Sequence, residues 1–222
     1  MEKSKLQQEK STSSLARSRA RSCALVGLST ALIAVCSWFT IPIGPVPFTL
    51  QMFAIPFIIC VLRPGEAIAA VAAYLALGAV GVPVFSGMRG GIGVLMGPTG
   101  GFLIGYLLGV ILAVLVLHVL HTYADTDDPN GTRFPDPAER ARMTAWQRFR
   151  ANLMPCGLEV VAGLIFSAVA YIVGWAQYMM VTGTSPEVAF MAAAAPFIVP
   201  DVVKVVAAVL CAQPVKMFSK RR

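Results

Sequence analysis

Apolar residues run in long blocks along this chain, separated by short breaks rich in glycine, proline or charge. Blocks of this length predict helices that cross a bilayer. The predicted spans are Cys23–Ile41, Phe48–Leu62, Ala67–Val82, Pro98–Leu120, Pro155–Val181 and a broken segment Val188–Ala212. The second and third are short. The sixth is interrupted at Pro196, and the preference of Val199 for extended backbone before Pro200 puts the start of its last helix near Pro200. Residues 1–22, rich in Ser, Gln and Lys, read as a disordered tail. Thr122–Asn152 reads as a linker with turn chemistry from Asp127 to Gly131 and a basic amphipathic stretch, Ala138–Arg150, that carries Met143, Trp146 and Phe149. The expected architecture is an all-α integral membrane protein: one six-helix domain over 23–218, with its second, third and sixth helices short or broken.

Composition agrees, with 57% hydrophobic and 13% charged residues and a mean hydropathy of +0.72. Charge adds an orientation. Basic residues crowd the tail (Lys3 to Arg21), Arg133–Arg150 and the end (Lys216 to Arg222), and Arg63 joins them in an Arg-Pro-Gly-Glu turn. Six spans with both termini in the cytoplasm put all of these inside, leaving Arg89 in an outer loop and Lys204 in a span. The net charge of +7 then reports topology and contact with anionic lipid, and no nucleic-acid partner is expected. The first span runs into Pro42–Pro47 without a small-residue cleavage pattern, so it is read as retained.

Several chemistries lack their residues. Five cysteines, scattered without CxxC spacing, read as small, buried and reduced. His118 and His121 share a helix face without a third ligand, so an interfacial role is expected and no metal. No Walker A sequence is found, and the glycines of Gly87–Gly105 fit neither GxGxxG nor GxSxG. No Ser/His/Asp set or paired carboxylates fall at one depth, so enzyme catalysis has weak support and no cofactor is expected. A small membrane-embedded enzyme stays the alternative from another class. Without Walker A, a solute moved uphill would draw its energy from a partner or an ion gradient.

The polar residues that remain gather on the outer side. Asp201 and Lys204, three apart, share one helix face inside an apolar run, where each costs roughly 2.5 to 3.5 kcal/mol to insert and where such groups mark substrate paths. From Asp201 to Phe218 the helix covers about 27 Å, enough to reach the inner face. Thr49 and Gln51 open the second span, where Gln51 either caps or snorkels, or binds. Gly90, Gly91 and Thr99 lie in the glycine-rich stretch Phe85–Gly101, read as a substrate-covering loop with Arg89 as its charge. Two cations against one carboxylate suit a small, largely apolar monoanion such as a carboxylate. On the first helix Ala24, Gly27, Ala31 and Ala34 form a small-residue surface for close helix approach, open to a partner or to packing within the chain.

Taken in order, Ile41 to Gln51 (IPIGPVPFTLQ), Gly97-Pro-Thr-Gly-Gly101 with Phe102, Tyr171-Ile-Val-Gly-Trp175 and Pro196 to Lys204 (PFIVPDVVK) resemble the BioY family, the biotin-specific substrate-capture (S) subunits of energy-coupling-factor (ECF) transporters. The resemblance covers about Ala24–Phe218. It implies six helices, biotin held near the outer face, and uptake energised by a transmembrane coupling subunit and cytoplasmic ATP-binding-cassette ATPases in a bacterial cytoplasmic membrane. Another vitamin carried by the same transporter class is the near alternative. It carries the family's charged pair onto Asp201 and Lys204, its glycine loop onto Gly87–Gly101, and its partner-docking face onto the first helix. Some members have a basic residue where Leu103 stands here, which leaves Arg89 to compensate.

Overall fold

The computed structural model describes the backbone of residues 2–42, 44–126 and 144–219, and side chains over 16–42, 44–120, 144 and 156–216. In chain order the elements are α1 (Glu2–Trp38), β1 (Thr40–Ile41), β2 (Phe48–Thr49), α2 (Gln51–Val61), α3 (Pro64–Ala79), α4 (Ile92–Met96), α5 (Gly100–Thr126), α6 (Ala145–Thr182), α7 (Pro186–Ala193) and α8 (Ala195–Ser219). Stretches of α1, α5, α6 and α8 are long and apolar enough to cross a membrane, at 21 to 27 residues. The other two apolar helices are short: α2 has 11 residues and α3 has 16. They serve as the interior of the bundle, with Ala54 and Ile55 of α2 and Ala67, Ala70, Val71 and Tyr74 of α3 all fully buried.

Three expectations are corrected by the helices themselves. Residues 2–22, expected as a disordered tail, continue α1 as helix. Glu, Lys, Gln, Leu, Ala and Arg are strong helix formers, and no glycine or proline interrupts them before Gly27. The expected linker is also shorter at both ends, because α5 runs to Thr126 and α6 begins at Ala145. Of the amphipathic stretch Ala138–Arg150, residues 138–143 lie outside the described residues and 145–150 form the first turns of α6. Finally, α8 starts at Ala195 rather than near Pro200. Pro196 falls in its first turn, where a missing N–H costs nothing, and Pro200 forfeits only one bond, to the carbonyl of Pro196. The break before it is at Ala194, whose backbone (φ −125°, ψ −54°) leaves the helical region.

Packing follows local chemistry. Pro64 opens α3, and Glu66 accepts the Arg63 N–H at 3.2 Å and the Ser22 hydroxyl of α1 at 2.6 Å. Thr30 of α1 donates to the Ala70 carbonyl of α3 at 3.1 Å. Between α6 and α8, Glu159 pairs with Lys216 and accepts from Gln213 at 2.9 Å. Besides helices, the described residues include an antiparallel pair of two-residue strands, Thr40 with Thr49 and Ile41 with Phe48, at the ends of a proline-rich turn, and a single bridge between Phe85 and Arg89. Of the five cysteines, all free, only Cys36 is buried; Cys23 and Cys211 lie exposed on the helix surfaces instead of in the core.

Candidate functional site

The entry of α8 brings Asp201 and Lys204 to one face, and two other elements, α6 and β2, meet them there. Asp201 is 4% exposed. Its Oδ1 accepts from Lys204 Nζ at 2.8 Å, and its Oδ2 accepts from the hydroxyl of Tyr171 on α6. Lys204 Nζ also donates to the backbone carbonyl of Thr49 on β2 at 2.7 Å and sits 3.3 Å from the centroid of the Phe48 ring. That ring in turn stacks on Phe197, 6.1 Å away. The ammonium is thus enclosed by a carboxylate, a carbonyl and an aromatic face, which together replace its water.

The turn into α2 supplies neutral polar groups. Thr49 Oγ1 donates to Gln51 Oε1 at 3.1 Å, and Gln51 Nε2 donates to the hydroxyl of Tyr74 on α3 at 2.8 Å. Gln51 is 2% exposed, so it neither caps nor snorkels but belongs to a buried chain of hydrogen bonds.

Above these groups lies the glycine-rich stretch. Phe85 and Arg89 exchange backbone hydrogen bonds at 2.9 and 3.3 Å, closing a tight hairpin whose tip holds Gly87 (φ +72°) and Met88 (φ +56°). Gly90 has no room for a side chain: a Cβ there would lie 2.5 Å from the Val82 carbonyl oxygen. Arg89 is exposed, and its Nε donates to the Ser86 carbonyl at 3.1 Å. From α6, Gln177 donates to the carbonyls of Leu95 and Gly97 at 2.7 and 2.8 Å, fastening the far end of the stretch.

Between the hairpin and the helices is a pocket of about 590 Å³, counting the open space at its mouth. Asp201, Tyr171, Thr49, Gln51, Thr99 and Arg89 give it polar atoms, and Phe85, Phe102, Tyr106 and Phe197 are among its apolar walls. A carboxylate and a carboxamide at one place, a single guanidinium at another and aromatic walls between them fit a small amphipathic molecule. Of the residues expected at the site, Lys204, Gly90 and Gly91 do not line this pocket. Lys204 stands behind Phe48 as the partner of Asp201, and the two glycines shape the covering loop, with Gly91 at φ +98°. Leu103 lines the wall with no charge to offer. Of the α1 surface, Ala24, Gly27 and Ala31 are exposed and Ala34 is buried in the core.

Two pocket tyrosines had not been singled out as site residues. Tyr106 is buried among aromatic neighbours, and Tyr171 was noted only within its motif. The available signal for Tyr171 was its hydroxyl, which in an apolar span needs a partner, with Asp201 the nearest acceptor in depth.

Comparison with known proteins gives this arrangement its relatives. A sequence profile of the BioY family matches residues 6–221. The chain belongs to the BioY family. It is 32% identical over 195 residues to the probable biotin transporter BioY of Pyrococcus horikoshii, covering 88% of this chain and 96% of that one. Local identity is higher to the biotin transporter BioY of Thermotoga maritima, 47% over 98 residues, and to BioY2 of Lactococcus lactis, 46% over 100 residues. Those alignments span 58% and 53% of the relatives' own lengths and 44% and 45% of this chain. The fold matches the crystal structure of the S-component for biotin from an ECF-type ABC transporter, with a TM-score of 0.68 and 24% identity over 90% of this chain and 93% of that one.

Proposed function

We propose that this BioY chain captures biotin at the outer face of a cytoplasmic membrane, as the S subunit of an ECF-type transporter. In this reading six helices span the bilayer with both termini inside, α2 and α3 crossing as the short interior pair. The chain carries no Walker A sequence, and in this reading a transmembrane coupling subunit and cytoplasmic ATPases supply the energy. The observation that carries the reading is the pocket floored by Asp201. Its carboxylate, backed by Lys204, is an acceptor for the N–H groups of a cyclic urea, with Gln51 and Thr49 beside it. The aromatic walls suit an apolar ring and chain, and Arg89 meets the carboxylate end.

Purified protein should contain or bind biotin at one molecule per chain, as measured by mass spectrometry of co-purified small molecules and by titration calorimetry. Co-purification of a different vitamin, with no heat from biotin, would reject the assignment. Arg89→Ala is expected to weaken biotin while leaving biotin amide unchanged. An unaltered preference for the acid in that variant would assign the carboxylate to other donors.

A further inference from the structure

The wall of the pocket formed by Phe85 is set from behind, by α3. Phe85 is 1% exposed and its ring stands edge-on to Tyr74, with centroids 5.5 Å apart at 75°. The tip of that ring rests on Gly78, one turn further along α3: a Cβ on Gly78 would lie 2.0 Å from Phe85 Cζ and 2.2 Å from Cε1. Contacts that short do not occur, so an alanine at 78 must displace the ring. The Gly78 carbonyl also accepts the Gly91 N–H at 2.7 Å, tying the far side of the loop to the same helix residue. With Gly81 and Val82 packed against Gly90, residues 82–90 form a loop closed at its neck. Its other fastenings come from the end of α1. Ser37 donates to the Val84 carbonyl at 2.5 Å, and Trp38 Nε1 donates to the Pro83 carbonyl at 2.9 Å. Those bonds hold the loop at its edge; Phe85 is the plug that enters the bundle.

We propose that Gly78 and Tyr74 are positioning residues for the pocket: together they form a notch that seats Phe85 and thereby holds the loop 82–90 closed over the ligand. Tyr74 has a second hand on the site, because its hydroxyl is the acceptor for Gln51. The notch thus joins the covering loop to the polar floor through a single buried side chain. The proposal rests on the biotin reading only for the ligand used in one arm of its test.

The test compares wild type, Gly78→Ala and Gly78→Ala/Phe85→Leu as full-length protein in detergent. Leucine lacks the Cε and Cζ atoms that meet the new methyl, so it should reseat where phenylalanine cannot. Without ligand, amide hydrogen exchange over 82–91 is expected to quicken in Gly78→Ala and to return toward wild type in the double variant. Biotin release should quicken at least tenfold in the single variant and slow again in the double. Unchanged exchange in Gly78→Ala overturns the proposal, and so does a double variant as open as the single one. Phe85→Ala, which empties the notch without adding an atom, should quicken the same amides and decides the matter if Gly78→Ala does not fold. Should wild type bind no biotin, the exchange arm decides alone, so the seat and the ligand assignment fail separately.

Discussion

Asp201 is held by two donors of different kinds, an ammonium on its own helix and a phenol on α6. Replacing it by Asn keeps the shape but turns one acceptor into a donor facing another donor. Asp201→Asn is therefore expected to lose at least tenfold in biotin affinity, about 1.4 kcal/mol. Lys204→Ala should do more. It leaves a buried carboxylate with Tyr171 alone and orphans the Thr49 carbonyl, and breaking a buried pair costs about 3 to 5 kcal/mol. A clear drop in melting temperature should accompany its loss of affinity, also at least tenfold. Calorimetry and thermal melts on the same preparations check both; normal binding by both variants, normally folded, would make the pair structural and move the ligand elsewhere. The two charges were legible because ionisable groups stand out in an apolar run. That Lys204 turns away from the pocket was not, since a spacing of three fixes a helix face but not which strand carbonyl or ring comes to meet it. Tyr171 was hidden for a similar reason: in a span, an aromatic residue reads as packing until its hydroxyl finds a partner.

At the scale of elements, α5 and α6 form the most extensive helix contact among the described residues, and glycine lets their backbones approach closely. Gly101, Gly105 and Gly109 recur every fourth residue on α5 and run into the fully buried Ala113. A Cβ on Gly105 would lie 2.8 Å from the Cα of Ala170, and one on Gly109 would lie 2.8 Å from the Phe166 carbonyl oxygen. Backbone cannot step aside as a side chain can, so the two helix axes would have to part. Gly105→Leu is expected to destabilise the fold by more than the roughly 1 to 3 kcal/mol of ordinary overpacking. Loss of the folded peak in size-exclusion chromatography is the readout, and a stable variant with a normal melt would show that the helices can separate here at little cost. This file of small residues is as visible in the sequence as the one on α1, and only the packing distinguishes a face that meets backbone from one left exposed. Helix identity was likewise legible from the apolar blocks. Helix ends were not: α1 extends through a polar segment rich in strong helix formers, and α8 accepts Pro200 because the turn before it already holds the chain in register. Glu159 also escaped notice, since Gln213 and Lys216, which satisfy it, lie on another helix.

For the molecule as a whole, α1 carries two relationships at once. Its C-terminal end fastens the covering loop through Ser37 and Trp38, and its exposed face presents Ala24, Gly27 and Ala31 away from the bundle. An added Cβ on Gly27 would meet no atom within 4 Å. Ala34, further along, is buried and belongs to internal packing. The exposed run of small residues is therefore narrower than the row in the sequence implies, ending before Ala34. Bulk on that face should leave the subunit intact but hold another helix at a distance, because close approach needs small residues at the crossing. Gly27→Leu with Ala31→Leu is expected to retain biotin affinity within twofold and wild-type melting, while ATP-driven uptake by the reconstituted complex falls to background. Lost binding would mean that this face supports the fold after all. Uptake at the wild-type rate would mean that the coupling subunit docks on a different helix, and would leave the open surface of α1 to lipid.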